Sequence, residues 1–262
     1  MSKAHFPYQS ALVTGASSGV GRALAVALDK LGIQRIVLVA RRRDALEALA
    51  TQLDCEAVVC VADLSTDAGM ALATAELAEV DLLVNNAGFG SFGPFASLDT
   101  SRQVSMLRLN CEAPLTLAGA CLPGMVARGH GCVVNIASGM SFQPMPYMST
   151  YAASKAFLLH WAEGVSAELS DTGVRCLTIC PGTIATGFAD ASAIPLNALP
   201  GVAIVTCTLD SVIDATIRAI QDNTVVTVPG LGNRLGTFSN RFAPRALIRW
   251  LMAAIMGRAY RQ

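Results

Sequence analysis

The sequence predicts a doubly wound α/β fold built on a parallel sheet. Three observations carry that reading. Short apolar runs alternate with helical patterns along the 262 residues. A glycine-rich turn follows the first apolar run and opens the first helix. Unusual polar residues recur at the carboxyl ends of the apolar runs, where sheets of this kind bind ligands.

Residues 10–14, SALVT, form the first strand, and Gly15-Ala-Ser-Ser-Gly19-Val-Gly21 the turn after it. A helix follows from Arg22 to Leu31. Glycines between a strand and a helix let backbone N–H groups approach a diphosphate at a helix N-terminus; a plain tight turn uses the same residues. The second strand is 35–40, RIVLVA, with Arg41, Arg42 and Arg43 directly after it. In dinucleotide folds an acidic residue near this strand end binds the ribose 2′-OH of NAD, and an Arg accommodates the 2′-phosphate of NADP. Ala40 ends the strand and Asp44 is the first acidic residue, so NADP(H) is favoured. Alternatively these arginines only open the next helix, with Arg43 pairing to Glu47.

A helix over 45–53 leads to strand three, 56–62, ending in Asp63 and Leu64. Helix 66–79 and strand four, 80–84, run into Asn85-Asn86-Ala87-Gly88. One helix from about Arg102 to Arg128 carries Asn110 within an apolar face. Such an Asn needs partners, either a water or a neighbouring carbonyl. Strand five, 131–137, delivers Ser138. Helix 152–171 carries Lys155, and strand six, 174–180, ends in Pro181-Gly182-Thr183. A long stretch, 184–207, follows; the reach from Cys176 to Leu209 around it has Asp190 as its only charge, and Pro181, Pro195, Pro200 and several glycines keep it from being a membrane span. A helix over 209–222 and a last strand, 224–228, complete a single domain of residues 1–262. Residues 236–262 form its helical extension.

Composition narrows the function. Nineteen basic side chains balance nineteen acidic ones, which argues against nucleic-acid binding. The apolar content is 53%, pointing to a broad core, a buried oligomer interface, or both. The segment MSKAHFPYQS lacks the apolar region of a signal peptide. The eight cysteines show no C-x-x-C pair and read as buried thiols of a cytoplasmic protein. His5, His130 and His160 are isolated, and no metal site is expected.

The stretch Ser138–Lys155, SGMSFQPMPYMSTYAASK, holds the chemistry. Tyr151 and Lys155 are one helical turn apart and share a face. A nearby ammonium favours a phenolate and lowers the Tyr pKa, which suits general acid–base work. Ser138 is placed to hold a carbonyl or hydroxyl oxygen. The same Tyr-x-x-x-Lys spacing also arises by chance in packing helices.

TGASSGVG at 14–21, ADL at 62–64, NNAG at 85–88, Asn110, Ser138, Tyr151-x-x-x-Lys155 and PGTIAT at 181–186 together resemble the short-chain dehydrogenase/reductase family in its single-domain, Rossmann-type form. The run VLVARRRDALEALA is similar to its NADP-dependent ketoacyl and hydroxysteroid reductase-like branch. The resemblance implies roles. Gly15, Ser17, Gly19, Val20 and Gly21 surround the diphosphate of NADP(H). Arg41 faces the 2′-phosphate, with Arg42 a lesser candidate. Asp63 and Leu64 contact adenine, and Asn86, Ala87 and Gly88 line the ribose and nicotinamide. Tyr151 is the acid/base. Lys155 binds the nicotinamide ribose and depresses the Tyr pKa. Ser138 orients the substrate oxygen, Asn110 holds a relay water, and Pro181, Gly182, Thr183 and Thr186 close over the nicotinamide.

Specificity is expected from residues 89–97, 139–148 and 184–206. Phe89, Phe92, Phe95, Phe142, Met140, Met145 and Met148 suit an apolar or bulky ketone; equally they serve as core or interface residues. The tail, 237–262, places Arg241, Arg245 and Arg249 on one stripe if a helix runs through Pro244. Leu247, Trp250, Leu251, Ala254 and Ile255 form an apolar face. Such a helix packs across a homodimer or homotetramer interface, the favoured reading, or lies on a membrane surface. The function expected is NADP(H)-dependent interconversion of a small-molecule ketone and a secondary alcohol. The alternative is a reductase of carrier-bound 3-oxoacyl thioesters, docked through Arg102, Arg108 and Arg128. A non-catalytic cofactor sensor ranks third, because Ser138, Tyr151 and Lys155 are all present.

Overall fold

The computed structural model describes residues 6–184 and 206–261. Seven parallel strands form the main sheet: β1 Ser10–Thr14, β2 Arg35–Ala40, β3 Glu56–Val61, β4 Leu82–Asn85, β5 Gly131–Ile136, β6 Val174–Ile179 and β9 Val226–Thr227. Their order is β3-β2-β1-β4-β5-β6-β9. Two short strands, β7 Thr183–Ile184 and β8 Thr206–Cys207, pair in parallel outside it. The helices are α1 Gly19–Lys30, α2 Arg43–Ala50, α3 Asp67–Ala75, α4 Thr100–Leu107, α5 Ala113–Arg128, α6 Ser149–Glu168, α7 Leu209–Asp222, α8 Leu231–Ser239 and α9 Arg245–Arg261.

The strands read as continuous apolar runs because both faces of the sheet are covered. Alternate residues feed two cores. Val13, Leu38, Val84 and Val134 pack with Leu24, Leu28 and Leu46 from α1 and α2 and with Ile213 and Ile220 from α7. Leu12, Val37, Leu83 and Val133 pack with Met70 of α3 and with Leu117, Cys121 and Met125 of α5. Side-chain caps on α3, α4 and α7 come from Thr66, Asp99 and Thr208. Each is worth about 1 kcal/mol, against about 2–5 kcal/mol for truncating a buried Leu. The two cores therefore fix the fold, and the caps only trim its helix ends.

Three departures from the sequence reading have local causes. The helix expected over 102–128 is three segments, because Arg108–Glu112 widens into a π turn between α4 and α5. That turn carries Asn110 inward, where it is buried. The tail does not run through Pro244: α8 ends at Ser239 and α9 starts at Arg245. Arg241 therefore leaves the stripe of Arg245 and Arg249, since the residue before a proline is driven out of the helical region. The last strand is also shorter than expected, at Val226–Thr227. Thr186 and most of 184–206 lie outside the described residues. Among the described residues no helix is long and apolar enough to cross a membrane.

Burial sets the response of this fold to alkali. It pushes the thiols of Cys55, Cys121, Cys132, Cys176 and Cys180 up to about 12, that of Cys111 to about 11, and that of Cys60 upward. A folded-state pKa above the ordinary 9.0 means that the folded chain keeps protons the unfolded chain releases. Stability from these groups is complete below pH 9 and is lost as pH rises from there toward 12. Lys155, lowered from 10.5 to about 8, acts in the opposite sense between those values, but it is one group against seven. Under reducing conditions the melting temperature should hold to about pH 9 and then fall steeply. Combining Cys132→Ala, Cys176→Ala and Cys180→Ala should flatten that fall; an unchanged slope would show that the thiols do not drive it.

Candidate active site

The strand order reverses between β1 and β4, so the loops leaving their carboxyl ends diverge and open a crevice. Thr14, the last residue of β1, pins the two loops. Its hydroxyl accepts from the backbone amides of Asn86 at 2.9 Å and Ala87 at 3.0 Å and donates to the Val84 carbonyl at 3.2 Å. In return Asn86 Nδ2 donates to the Thr14 carbonyl at 2.9 Å. The glycine turn lies directly against that amide. A Cβ on Gly15 would stand 2.7 Å from Asn86 Nδ2, and one on Gly21 would stand 2.5 Å from it and 2.5 Å from the Gly15 carbonyl oxygen. Gly15 and Gly19 take φ values of +68° and +54°, which side chains disfavour. The result is a Cβ-free cradle at the N-terminus of α1, with Val20 in its first turn. This chain therefore fits a dinucleotide diphosphate.

At the end of β2, Arg42 donates from Nη2 to the carbonyl and the hydroxyl of Ser17, both at 3.1 Å, which braces the cradle. Arg41 is 75% exposed and stands 4.0 Å from Asp63. Arg43 pairs with Glu47 at 3.3 Å. The Asp63 carboxylate accepts from the backbone amide and the hydroxyl of Ser65 at 3.0 and 2.7 Å. Burial acts against its charge, but those bonds and Arg41 hold its pKa below the ordinary value. The Leu64 side chain is buried in the core beside Val37 and Val39, so only its backbone is left to meet a base.

The second half of the site gathers on β5, α6 and the π turn. Tyr151 and Lys155 are both inside α6 and both buried. Lys155 Nζ donates to the Ile136 carbonyl at 2.8 Å and stands 6.0 Å from the Tyr151 ring centroid. Burial lowers Lys155 to about 8. Burial likewise pushes Tyr151 up to about 12, opposed only by a hydrogen bond from Ser138 that favours the phenolate. The Tyr pKa is thus raised and not depressed as expected: burial sets the direction and Ser138 alone acts against it. Ser138 also accepts the Met140 amide at 3.1 Å. Next to it, the Gly139 amide donates to the Pro181 carbonyl at 2.7 Å, which brings Pro181, Gly182 and Thr183 of the loop after β6 to the same edge.

The Asn110 carboxamide bonds neighbours through both its oxygen and its nitrogen. Its Oδ1 accepts from the Phe89 amide at 3.2 Å, and its Nδ2 donates to the Phe89 carbonyl at 3.1 Å and to Ser154 Oγ at 3.0 Å. Ser154 donates onward to the Tyr151 carbonyl at 2.7 Å. A Cβ on Gly88 would meet Asn110 Oδ1 at 2.9 Å and Lys155 Nζ at 3.4 Å. The NNAG turn, Asn110 and Lys155 therefore touch. Thr14, Ser141 and Ser154 have no assigned role in the sequence reading, although Thr14 and Ser154 lie inside its motifs. The available signal is a small hydroxyl residue next to a motif glycine or one helical turn after the Tyr. Ser141 donates to the Lys155 carbonyl at 3.0 Å.

An apolar shell encloses Tyr151. Met106, Met145, Met148, Ala152 and Met256 are buried around it, with Phe89, Phe92, Met140, Tyr147, Met252 and Ile255 packed alongside. Phe89, Phe92, Met140, Met145 and Met148 stand where the sequence places them. Phe142 instead packs with Leu158, Leu159 and Cys180, and Phe95 is exposed. Met106, Met252 and Met256 are new, because nothing local reveals that α4 and the tail fold onto this edge. Tyr147 takes a φ of +66°, accepts the Gly93 amide at 2.9 Å and stacks on Tyr260 of α9 with centroids 5.1 Å apart. These contacts tie the loop before Tyr151 to the last helix.

Residues 9–194 match the family model described as short chain dehydrogenase. A short chain dehydrogenase of Pseudocercospora fijiensis is 34% identical over 185 residues, covering 67% of this chain and 60% of that one, less than two thirds of the relative's length. Among solved structures, a short-chain dehydrogenase from Sphingobium yanoikuyae in complex with NADPH superposes with a TM-score of 0.80 at 31% identity, covering 92% of this chain and 94% of that one. A bulky-bulky ketone specific alcohol dehydrogenase from Comamonas testosteroni superposes with a TM-score of 0.77 at 27% identity, covering 93% and 94% of the two chains. This chain belongs to the short-chain dehydrogenase/reductase family.

Proposed function

We propose that this chain is an oxidoreductase that uses NADP(H) to interconvert a bulky apolar ketone and its secondary alcohol. The observation that carries the proposal is a buried phenol, Tyr151, hydrogen-bonded to Ser138 inside a shell of methionines and aromatics. Such a wall favours apolar substrates over sugars and carboxylates. The NADPH and bulky-ketone descriptions of the two solved relatives support the reading. Residues 1–262 serve as one catalytic unit. The eight free thiols fit a reducing compartment, and we assign the cytoplasm.

When bound, the nicotinamide supplies or accepts the hydride. The glycine cradle and α1 hold the diphosphate, Arg41 and Arg42 take the 2′-phosphate, and the NNAG turn with Pro181, Gly182 and Thr183 frames the nicotinamide side. In reduction Tyr151 donates its Oη proton to the substrate oxygen while the Ser138 hydroxyl holds that oxygen; in oxidation the proton returns. Lys155, fixed by Ile136, presents its charge to the ribose. Asn110 also positions Phe89 and α6, since its carboxamide bonds Phe89 and Ser154; its backbone carbonyl, with Pro114 and no N–H four residues on, is the group that holds the relay water.

A further proposal concerns assembly. Val104 and Leu107 of α4, Leu115 of α5 and Phe157 of α6 are all exposed and line one apolar depression. We assign this face to a second copy of the chain.

Four measurements test these readings. Tyr151→Phe should cut ketone-dependent NADPH oxidation by about 10²–10⁴-fold while NADPH binding persists. In the parent protein kcat/KM should fall above about pH 8, because the Lys155 ammonium is lost as pH rises through that value. Lys155→Arg should move that limb upward; full activity of the Tyr151 variant or an unmoved limb would refute these assignments. Arg41→Ala should weaken NADPH binding about tenfold or more and leave NADH binding alone, whereas equal losses would remove Arg41 from the phosphate site. Leu115→Glu combined with Phe157→Glu should sediment as a monomer with an unchanged fold, and unaltered sedimentation would free that face of any interface role.

A further inference from the structure

The last 32 residues are chemically unlike the rest of the chain. From Leu231 to Gln262 there are six arginines and no acidic residue, leaving 13 basic and 19 acidic side chains in the other 230 residues. A chain with no net charge therefore carries +6 on its tail and −6 elsewhere. Among the described residues none of the six arginines pairs with a carboxylate.

The same segment is covered with exposed apolar side chains. On α8, Leu231, Leu235 and Phe238 fall at i, i+4 and i+7, one stripe of the helix, and all three face solvent. Phe242 continues the stripe, 74% exposed, and packs edge-on against Phe238 with centroids 5.2 Å apart. On α9, Leu247, Trp250 and Leu251 form a second exposed stripe, with Trp250 at 67%. This stripe is distinct from the one that closes the apolar shell. Ile248, Met256 and Ala259 are buried, and Met252 and Ile255 pack toward Tyr151, about a third of a turn away. Covering the outer stripe therefore requires no unpacking of the inner one.

We infer that α8 and α9 dock this protein, in the plane of the interface, onto a membrane surface that carries anionic lipid headgroups. Helices with exposed Trp, Phe and Leu beside Arg, and without acidic residues, bury their apolar stripe at the headgroup boundary while the guanidinium groups meet phosphates. Charge complementarity selects this occupant over a second copy of the same face. A two-fold contact sets each patch against itself, and here it would oppose six arginines with six arginines and no carboxylate between them. The inference does not depend on the substrate reading, because it concerns binding to lipid and not turnover.

The test uses the full chain with vesicles of phosphatidylcholine alone and of phosphatidylcholine mixed with phosphatidylglycerol. The protein should co-sediment with the mixed vesicles and not with the neutral ones, and its tryptophan emission should shift to the blue on binding. Arg245→Glu with Arg249→Glu should weaken binding about tenfold or more. Trp250→Ser with Phe242→Ser should weaken it as well and abolish the shift. Both pairs are exposed, so melting temperatures should match the parent, which separates lost binding from lost folding. Failure to bind the mixed vesicles, or binding that neither pair of substitutions reduces, overturns the inference. So does a parent oligomer that only the Trp250/Phe242 variant loses in sedimentation velocity, since that reassigns the face to a second copy.

Discussion

One carboxamide joins three elements of the candidate site. Asn110 sits in a π turn, buried, with an amide that must be satisfied from within the protein. It clamps both backbone groups of Phe89, in the loop after β4, and reaches Ser154 on the helix that carries Tyr151. Ser154 passes the link to the Tyr151 carbonyl. A buried donor or acceptor left unpaired costs about 1–3 kcal/mol, and here three or more groups would be orphaned together. Placed this way, the NNAG turn, Tyr151 and Lys155 keep one mutual geometry before any ligand arrives, which catalysis by orientation requires.

Burial then decides the protonation states. It disfavours both charged forms, lowering Lys155 to about 8 and raising Tyr151 to about 12. At neutral pH the pair is an ammonium beside a neutral phenol, and the ammonium points at the Ile136 carbonyl. The phenol in that state is a proton donor, the form in which a ketone is reduced. The Ser138 hydroxyl is the group that moderates the Tyr151 pKa. Lys155 supplies a fixed charge, and its position depends on β5 more than on the Tyr.

Most of the frame was legible from period and punctuation. β1, β2 and the helix over 209–222 stand at the positions their apolar patterns predict, because strands buried on both faces admit little else. Gly15, Gly21 and Gly88 were legible as glycines, but their reason is tertiary: Asn86, Asn110 and Lys155 occupy the space a Cβ would need. What the sequence could not display was commitment. Leu64 looks available for a cofactor, and its side chain is spent on the core; Arg42, a candidate for the 2′-phosphate, also braces Ser17. Asn110 was recognisable as an Asn that needs partners, and only the fold reveals that Phe89 and Ser154 take them. Met106, Met252 and Met256 reach the Tyr151 shell from segments 45, 101 and 105 residues away in the chain, and no local signal marks contacts made at that separation.

The tail shows how one helix serves two environments. Met252 packs toward Tyr151, while its chain neighbours Trp250 and Leu251 face outward. Tyr260, on the same helix, stacks on Tyr147, whose strained backbone leads into α6. Anything seated on the outer stripe thus presses on a wall of the site one residue away. In a core packed at protein density, such pressure moves side chains between discrete positions instead of deforming them smoothly. Methionines are suited to that position, since an unbranched thioether repacks at little cost. An apolar substrate of the kind we propose partitions into lipid, so a site whose outer wall lay on a lipid surface would face the phase where that substrate concentrates. In the docking we propose, the charge asymmetry sets the direction: the acidic body would be repelled by the same headgroups that draw the arginines in, leaving α8 and α9 as the face turned toward the membrane.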